Sequence, residues 1–162
     1  MADGMLDLNG AGVTIESVLE AEGHYASTIK GVSMRPMLKT ARDVVVLKRV
    51  NAGERLSRFD VALYKVGEKY VLHRVIDIDE NKGVYIIRGD NTYSLEYVKF
   101  DSVLARLISF NRAGKHHSVD EKNYLSYAAF WNSIYPIRSV LAKCRRALGR
   151  VKRAIFKSKN EP

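Results

Sequence analysis

The stretch DVALYKVGEKYVLHRVIDIDENKGVYIIRG, Asp60–Gly89, decides how the chain is read. Three runs rich in Val, Ile, Leu and Tyr are separated by VGEKY and DENKG, each with the glycine and polar residues of a hairpin turn. The expectation is a three-stranded antiparallel meander over 60–88. Runs of the same kind flank it, YASTIKG and DVVVLKRV before and VLARLISF after. Short, regularly spaced runs of this composition predict a mainly β domain, a small barrel or a folded-over antiparallel sheet.

The meander also carries an unusual histidine. Period-two alternation puts Val71, His73 and Val75 on one face of a strand, and Leu72, Arg74 and Ile76 on the other. An imidazole inside so apolar a strand needs a partner, since an unpaired buried polar group costs about 1–3 kcal/mol. Its ordinary pKa of about 6.5 suits general-base work near neutrality. The other histidines are His24, His116 and His117, the last two in a polar stretch.

A base invites a search for a nucleophile. KGVSMRPML, Lys30–Leu38, sets Ser33 between Gly31 and Pro36. Alone it reads as a turn; a serine becomes a nucleophile only when a neighbouring base takes its proton. An orienting acid would complete a triad. Asp90 and Glu96 in RGDNTYSLEY are the best placed, with Asp101 a third option. Gly89 and Asn91 bracket Asp90, so Asp90 equally reads as the cap of a tight turn.

GVSMRPML, DVVVLKR, FDVALYKVGEKYVLHRVIDID and IIRGDNTYSLE occur in the order and spacing of the signal peptidase I and LexA-type serine peptidase superfamily, which this chain resembles from Ile29 to Phe110. The resemblance implies a small folded-over antiparallel β barrel and peptide-bond hydrolysis. Bacterial members carry a lysine base directly before the arginine; His73 stands there, so the likeness is to the endoplasmic-reticulum and archaeal type. It implies Ser33 as nucleophile and His73 as base. Counted from Gly89, Glu96 matches the position of the assisting acid, where the family usually has aspartate, and Asp90 matches the motif's own acid. Gly31, Met34 and Pro36 are implied as substrate-side residues. Neither metal nor cofactor is implied.

The remaining sequence bounds these expectations. Thr14–Glu22 reads as a short helix capped by Thr14 and ended by Gly23, within an N-terminal segment 1–26. The β peptidase domain is expected over 27–110, a polar linker over 111–123 and a basic helical tail over 124–162. In the tail, Ile134, Ile137, Leu141, Cys144, Leu148, Val151 and Ile155 recur at helical spacing, with a break expected at Pro136. Residues 1–110 hold 15 Lys/Arg and 15 Asp/Glu; residues 111–162 hold 12 against 3, so the whole net charge of +9 sits in the last third of the chain. That asymmetry suggests an anionic partner, either a membrane surface met by residues 124–159 or, failing that, a solvated basic face. The neutral front domain gives no electrostatic reason to bind nucleic acid. The single Cys144 excludes an internal disulfide. No apolar run reaches 18 residues and the N-terminus is acidic, so a cytoplasmic or peripherally membrane-associated protein is expected.

Three functions fit. The first is an endopeptidase cutting a leader or signal-like segment of a precursor. The second is a LexA-like regulator that cuts itself, with Ala11–Gly12 as the candidate bond. The third is a catalytically idle peptide-binding or scaffold module.

Overall fold

The computed structural model of the protein describes residues 14–158, with side chains to residue 150. Helix α1, Ile15–Glu22, begins where expected. Thr14 Oγ1 accepts the Ser17 N–H at 3.2 Å and Ser17 Oγ accepts the Thr14 N–H at 3.2 Å, a reciprocal cap that satisfies two orphan donors. Gly23, at φ 72°, ends the helix and returns its N–H to Leu19. Ile15 and Leu19, one turn apart, enter the core.

Eight strands follow: β1 (His24–Thr28), β2 (Val44–Arg49), β3 (Val61–Val66), β4 (Lys69–Asp79), β5 (Val84–Arg88), β6 (Glu96–Lys99), β7 (Val103–Arg112) and β8 (Lys115–Ser118). They make one open sheet in the order β1-β2-β7-β3-β4-β5-β6, every pairing antiparallel, with β8 added on the far end of β7. The meander β3-β4-β5 lies where the sequence placed it. The centre of the sheet is buried on both faces. Val61 and Leu63 of β3 join Leu72 of β4 and Leu107 of β7 in one apolar cluster, which also takes Ile15 and Leu19. Ala62 and Tyr64 join Val71, Val75, Tyr85 and Ile87 in a second. Strict alternation of residues between two dry clusters fixes the register, because a one-residue slip would exchange them.

Residues 111–123 are not the polar linker that their composition suggests. Asn111 and Arg112 complete β7, and Ala113–Gly114, at φ 51° and 81°, turn the chain back into β8. Both turn residues have positive φ, as a two-residue hairpin requires. The strand Lys-His-His-Ser is hidden by its polarity; it lies at an edge, and its apolar contact is the His117 ring stacked on Phe110 at 5.1 Å.

Helix α2 spans Lys122–Ser133 and α3 spans Tyr135–Ser158, so the expected break falls just before Pro136. The chain divides into two compact units, one ending at Ala129 and one starting at Phe130. Tyr124 and Ala128 are therefore buried parts of the β unit, not of a separate tail. No helix among the described residues is long and apolar enough to cross a membrane.

Candidate active site

Ser33 lies in the turn between β1 and β2. The turn is held by Arg35 N–H to Val32 O (3.2 Å), Leu38 N–H to Met34 O (3.0 Å) and a Thr40 hydroxyl donated to Gly31 O. Met34, Met37 and Leu38 sink into the first apolar cluster and anchor it from below. Met34, at 2% exposure, is a core residue. Gly31, at φ 85°, is half-buried and Pro36 is exposed.

The far end of this loop is fixed by Asp43. Its buried carboxylate accepts the N–H groups of Lys39 (2.8 Å) and Ala113 (3.3 Å) and pairs with Arg42 Nε at 2.5 Å. Burial pushes this carboxyl up, but the Arg42 and backbone donors outweigh it and hold it below the usual carboxylate range.

His73 stands opposite Ala62 on β4. Two residues along β3, on the same face, is Tyr64. His73 Nδ1 lies 3.2 Å from Glu96 Oε1 and 3.2 Å from the Tyr64 hydroxyl, and that hydroxyl donates to Glu96 Oε2. Burial, then the bond to Glu96, raises the Tyr64 pKa far above its ordinary value, so the phenol keeps its proton. The other ring nitrogen, Nε2, is buried without a hydrogen-bond partner, and so is Ser33 Oγ.

Gly89 brings these two elements together. A Cβ there would lie 2.9 Å from His73 Nε2 and 2.9 Å from the Ser33 carbonyl oxygen, so only glycine lets the imidazole and the serine turn close on the same point. Asn91 clasps the turn from the other side, its N–H on Ser33 O at 2.6 Å and its side-chain amide on Val32 O at 3.3 Å. Thr92 exchanges bonds with Gly89 and closes the Gly-Asp-Asn loop.

Asp90 does different work. Arg74, on the opposite face of β4 from His73 and 1% exposed, meets both its carboxylate oxygens, Nε to Oδ1 at 2.8 Å and Nη2 to Oδ2 at 2.9 Å. Arg74 further donates to Phe59 O (3.0 Å), the Tyr124 hydroxyl (2.9 Å) and Met37 Sδ (3.0 Å), and Tyr127 donates to Asp90 Oδ2 at 3.2 Å. Burial would lower the Arg74 pKa, but the Asp90 charge raises it further, and the guanidinium stays protonated. Of the three acids left open by the sequence, Glu96 is the one beside His73. Asp101 sits exposed in a short 3-10 helix, Phe100–Ser102, beside Asn51–Arg55.

The structure thus brings His73 against the serine turn across Gly89 and sets Glu96 and Tyr64 at the other ring nitrogen, while Ser33 Oγ and His73 Nε2 make no hydrogen bond. In the sequence Tyr64 reads as one more apolar strand position; only the β3–β4 register shows that it shares a face with His73. Ser33 and His73 are 1% and 5% exposed, so serine and imidazole are closed to solvent, while the Glu96 side chain is partly exposed. His24 and His116 are exposed, and His117 belongs to the β8 edge. Among the described residues no group of His, Cys, Asp and Glu is arranged to hold a metal ion. No protein-family model matches the chain, and no curated protein matches it significantly.

Breaking a buried ion pair by removing one partner costs about 3–5 kcal/mol, whereas replacing both by apolar residues is often near neutral. Asp90→Ala is therefore expected to lower the urea-unfolding free energy by that amount, and Arg74→Met with Asp90→Leu to recover most of it. A loss below about 1 kcal/mol in Asp90→Ala would show that the pair does not hold the loop.

Proposed function

We propose that this chain is a serine endopeptidase of the signal peptidase I and LexA type, its doubly covered sheet suiting that family's folded-over barrel. One observation carries the reading: Ser33 Oγ and His73 Nε2 are both buried without hydrogen-bond partners, Gly89 lets the imidazole lie against the Ser33 backbone, and Glu96 stands behind Nδ1. Such atoms are costly to bury idle, and acyl transfer would engage both.

His73 Nε2 takes the Ser33 proton as Oγ adds to the scissile carbonyl carbon. The imidazolium is stabilised by the Glu96 carboxylate, and backbone N–H groups around Ser33, its own among them, meet the developing oxyanion. The tetrahedral intermediate collapses as His73 protonates the departing amine, leaving an acyl ester on Ser33. Water, deprotonated by His73, then attacks the ester carbon, and the acid leaves with Ser33 restored. The cycle uses no cofactor. Because Ser33 and His73 are closed off, a peptide reaches them only after the segments over them part. Gly31 and Pro36, flanking the serine in the turn, are the positions left for substrate contact. The substrate class is a leader or signal-like segment of a peptide or protein precursor.

The same burial favours one competing reading, an idle peptide-binding module. The self-cleaving alternative turns on Ala11–Gly12, which lies outside the described residues.

The tail supplies the second part of the proposal, contact with an anionic membrane surface. Tyr124 and Tyr127 are held by the Arg74–Asp90 pair and are not available as headgroup aromatics. From Phe130 on, apolar residues are exposed, among them Ile137 at 65% and Leu148 at 69%, together with Val140 and Leu141. Lys143, Arg145, Arg146 and Arg150 share this helix and are also exposed. Exposed apolar residues on one helix with a basic complement fit the headgroup region of an acidic bilayer.

Ser33→Ala and His73→Ala are each expected to lower cleavage of internally quenched peptides with alanine before the scissile bond by at least about 10³-fold, with unchanged thermal unfolding. Wild-type rates in Ser33→Ala would refute the assignment. Full-length protein should sediment with vesicles containing phosphatidylserine and not with pure phosphatidylcholine, and Leu141→Ser with Leu148→Ser should release it. Equal binding to both vesicles, or to neither, would refute the membrane role.

A further inference from the structure

We infer that Tyr64 is a positioning residue that fixes the tautomer of His73 by holding Glu96, an inference that rests on the peptidase reading of the same site. A tyrosine hydroxyl has one hydrogen, and Tyr64 gives it to Glu96 Oε2. What Tyr64 turns toward His73 is then a lone pair. Glu96 Oε1, an ionised carboxylate oxygen, presents another. Both groups within 3.2 Å of Nδ1 are acceptors, so Nδ1 must carry the ring hydrogen. Nε2 is left as the basic nitrogen, and it is the one beside Gly89 and without a partner.

Glu96 alone would do this poorly. It opens β6 at the edge of the sheet, and its side chain is 32% exposed, so water competes for the carboxylate. Tyr64 is 2% exposed and rises from the middle of β3, packed in the second apolar cluster. Its ring cannot wander, and a carboxylate bonded to it cannot either. A rigid phenol therefore passes the order of the core to a flexible acid at the rim, and through that acid to the base. When His73 becomes imidazolium, the same two acceptors face its Nδ1–H, so the cluster needs no rearrangement during proton transfer.

Tyr64→Phe keeps the ring and its packing and removes only the hydroxyl. In ¹⁵N-labelled full-length protein at alkaline pH, two-bond nitrogen–proton correlations should show Nδ1–H alone in the wild type and a mixture of tautomers in Tyr64→Phe. With the quenched alanine peptides, kcat should fall roughly 10- to 100-fold, the range for a hydrogen bond to a charged group, with KM within about twofold. In a Glu96→Ala background the same substitution should change kcat by less than about twofold, because the two act as a unit. The inference is overturned if wild-type His73 carries its hydrogen on Nε2, or if Tyr64→Phe leaves the tautomer unchanged. It is equally overturned if the two substitutions multiply independently. Should the wild type cleave none of the peptides, the peptidase reading falls and the tautomer spectrum alone decides the role of Tyr64.

Discussion

The guanidinium of Arg74 is the constraint on which the site depends. Buried at 1% exposure, it would cost several kcal/mol to desolvate if left unpaired. All five of its N–H donors are engaged, two by Asp90 and one each by Phe59 O, Tyr124 and Met37. Those acceptors come from four separate parts of the chain: the loop before β3, the serine turn, the Gly-Asp-Asn loop and the first turn of α2. Each is drawn to the same charge. The arginine thus orders the loops, while its neighbour His73, pointing to the other face of β4, receives an environment already fixed.

The Gly-Asp-Asn loop shows how closely this is arranged. Gly89 is small enough for His73 and the serine turn to meet across it. Asp90 neutralises Arg74. Asn91 holds the carbonyls of Val32 and Ser33. Three consecutive residues therefore join the His73 strand, the serine turn and the buried charge. Asp43 completes the frame by tying the other end of the serine loop to the β7–β8 hairpin.

Much of this was legible before any coordinates. The alternation in KYVLHRVI placed His73 and Arg74 on opposite faces, and the turns at VGEKY and DENKG fixed the meander. What escaped was long-range or edge-like. The β8 strand is polar because it lies at an edge, so its residues carry no apolar period. Met34 belongs to the core because the turn folds inward, which local sequence does not encode. Asp90 and Glu96 could not be separated by spacing alone; the buried arginine claims the first, and the pairing of β6 on β5 and of β5 on β4 brings the second to Tyr64 and His73. The start of the tail was set too early, because Tyr124 and Tyr127 look like interfacial aromatics until their hydroxyls are seen on the buried ion pair.

The central claim is that Ser33, activated by His73, forms a covalent acyl ester. Mixing the full-length protein with a short alanine-ending peptide thioester, quenching in acid and mapping the digest by mass spectrometry reads that step directly. The account predicts the peptide's acyl mass on the fragment containing Ser33, absent from Ser33→Ala and formed far more slowly in His73→Ala. Acylation that persists in Ser33→Ala, or turnover of the thioester with no adduct on Ser33 in the wild type at any quench time, would contradict it.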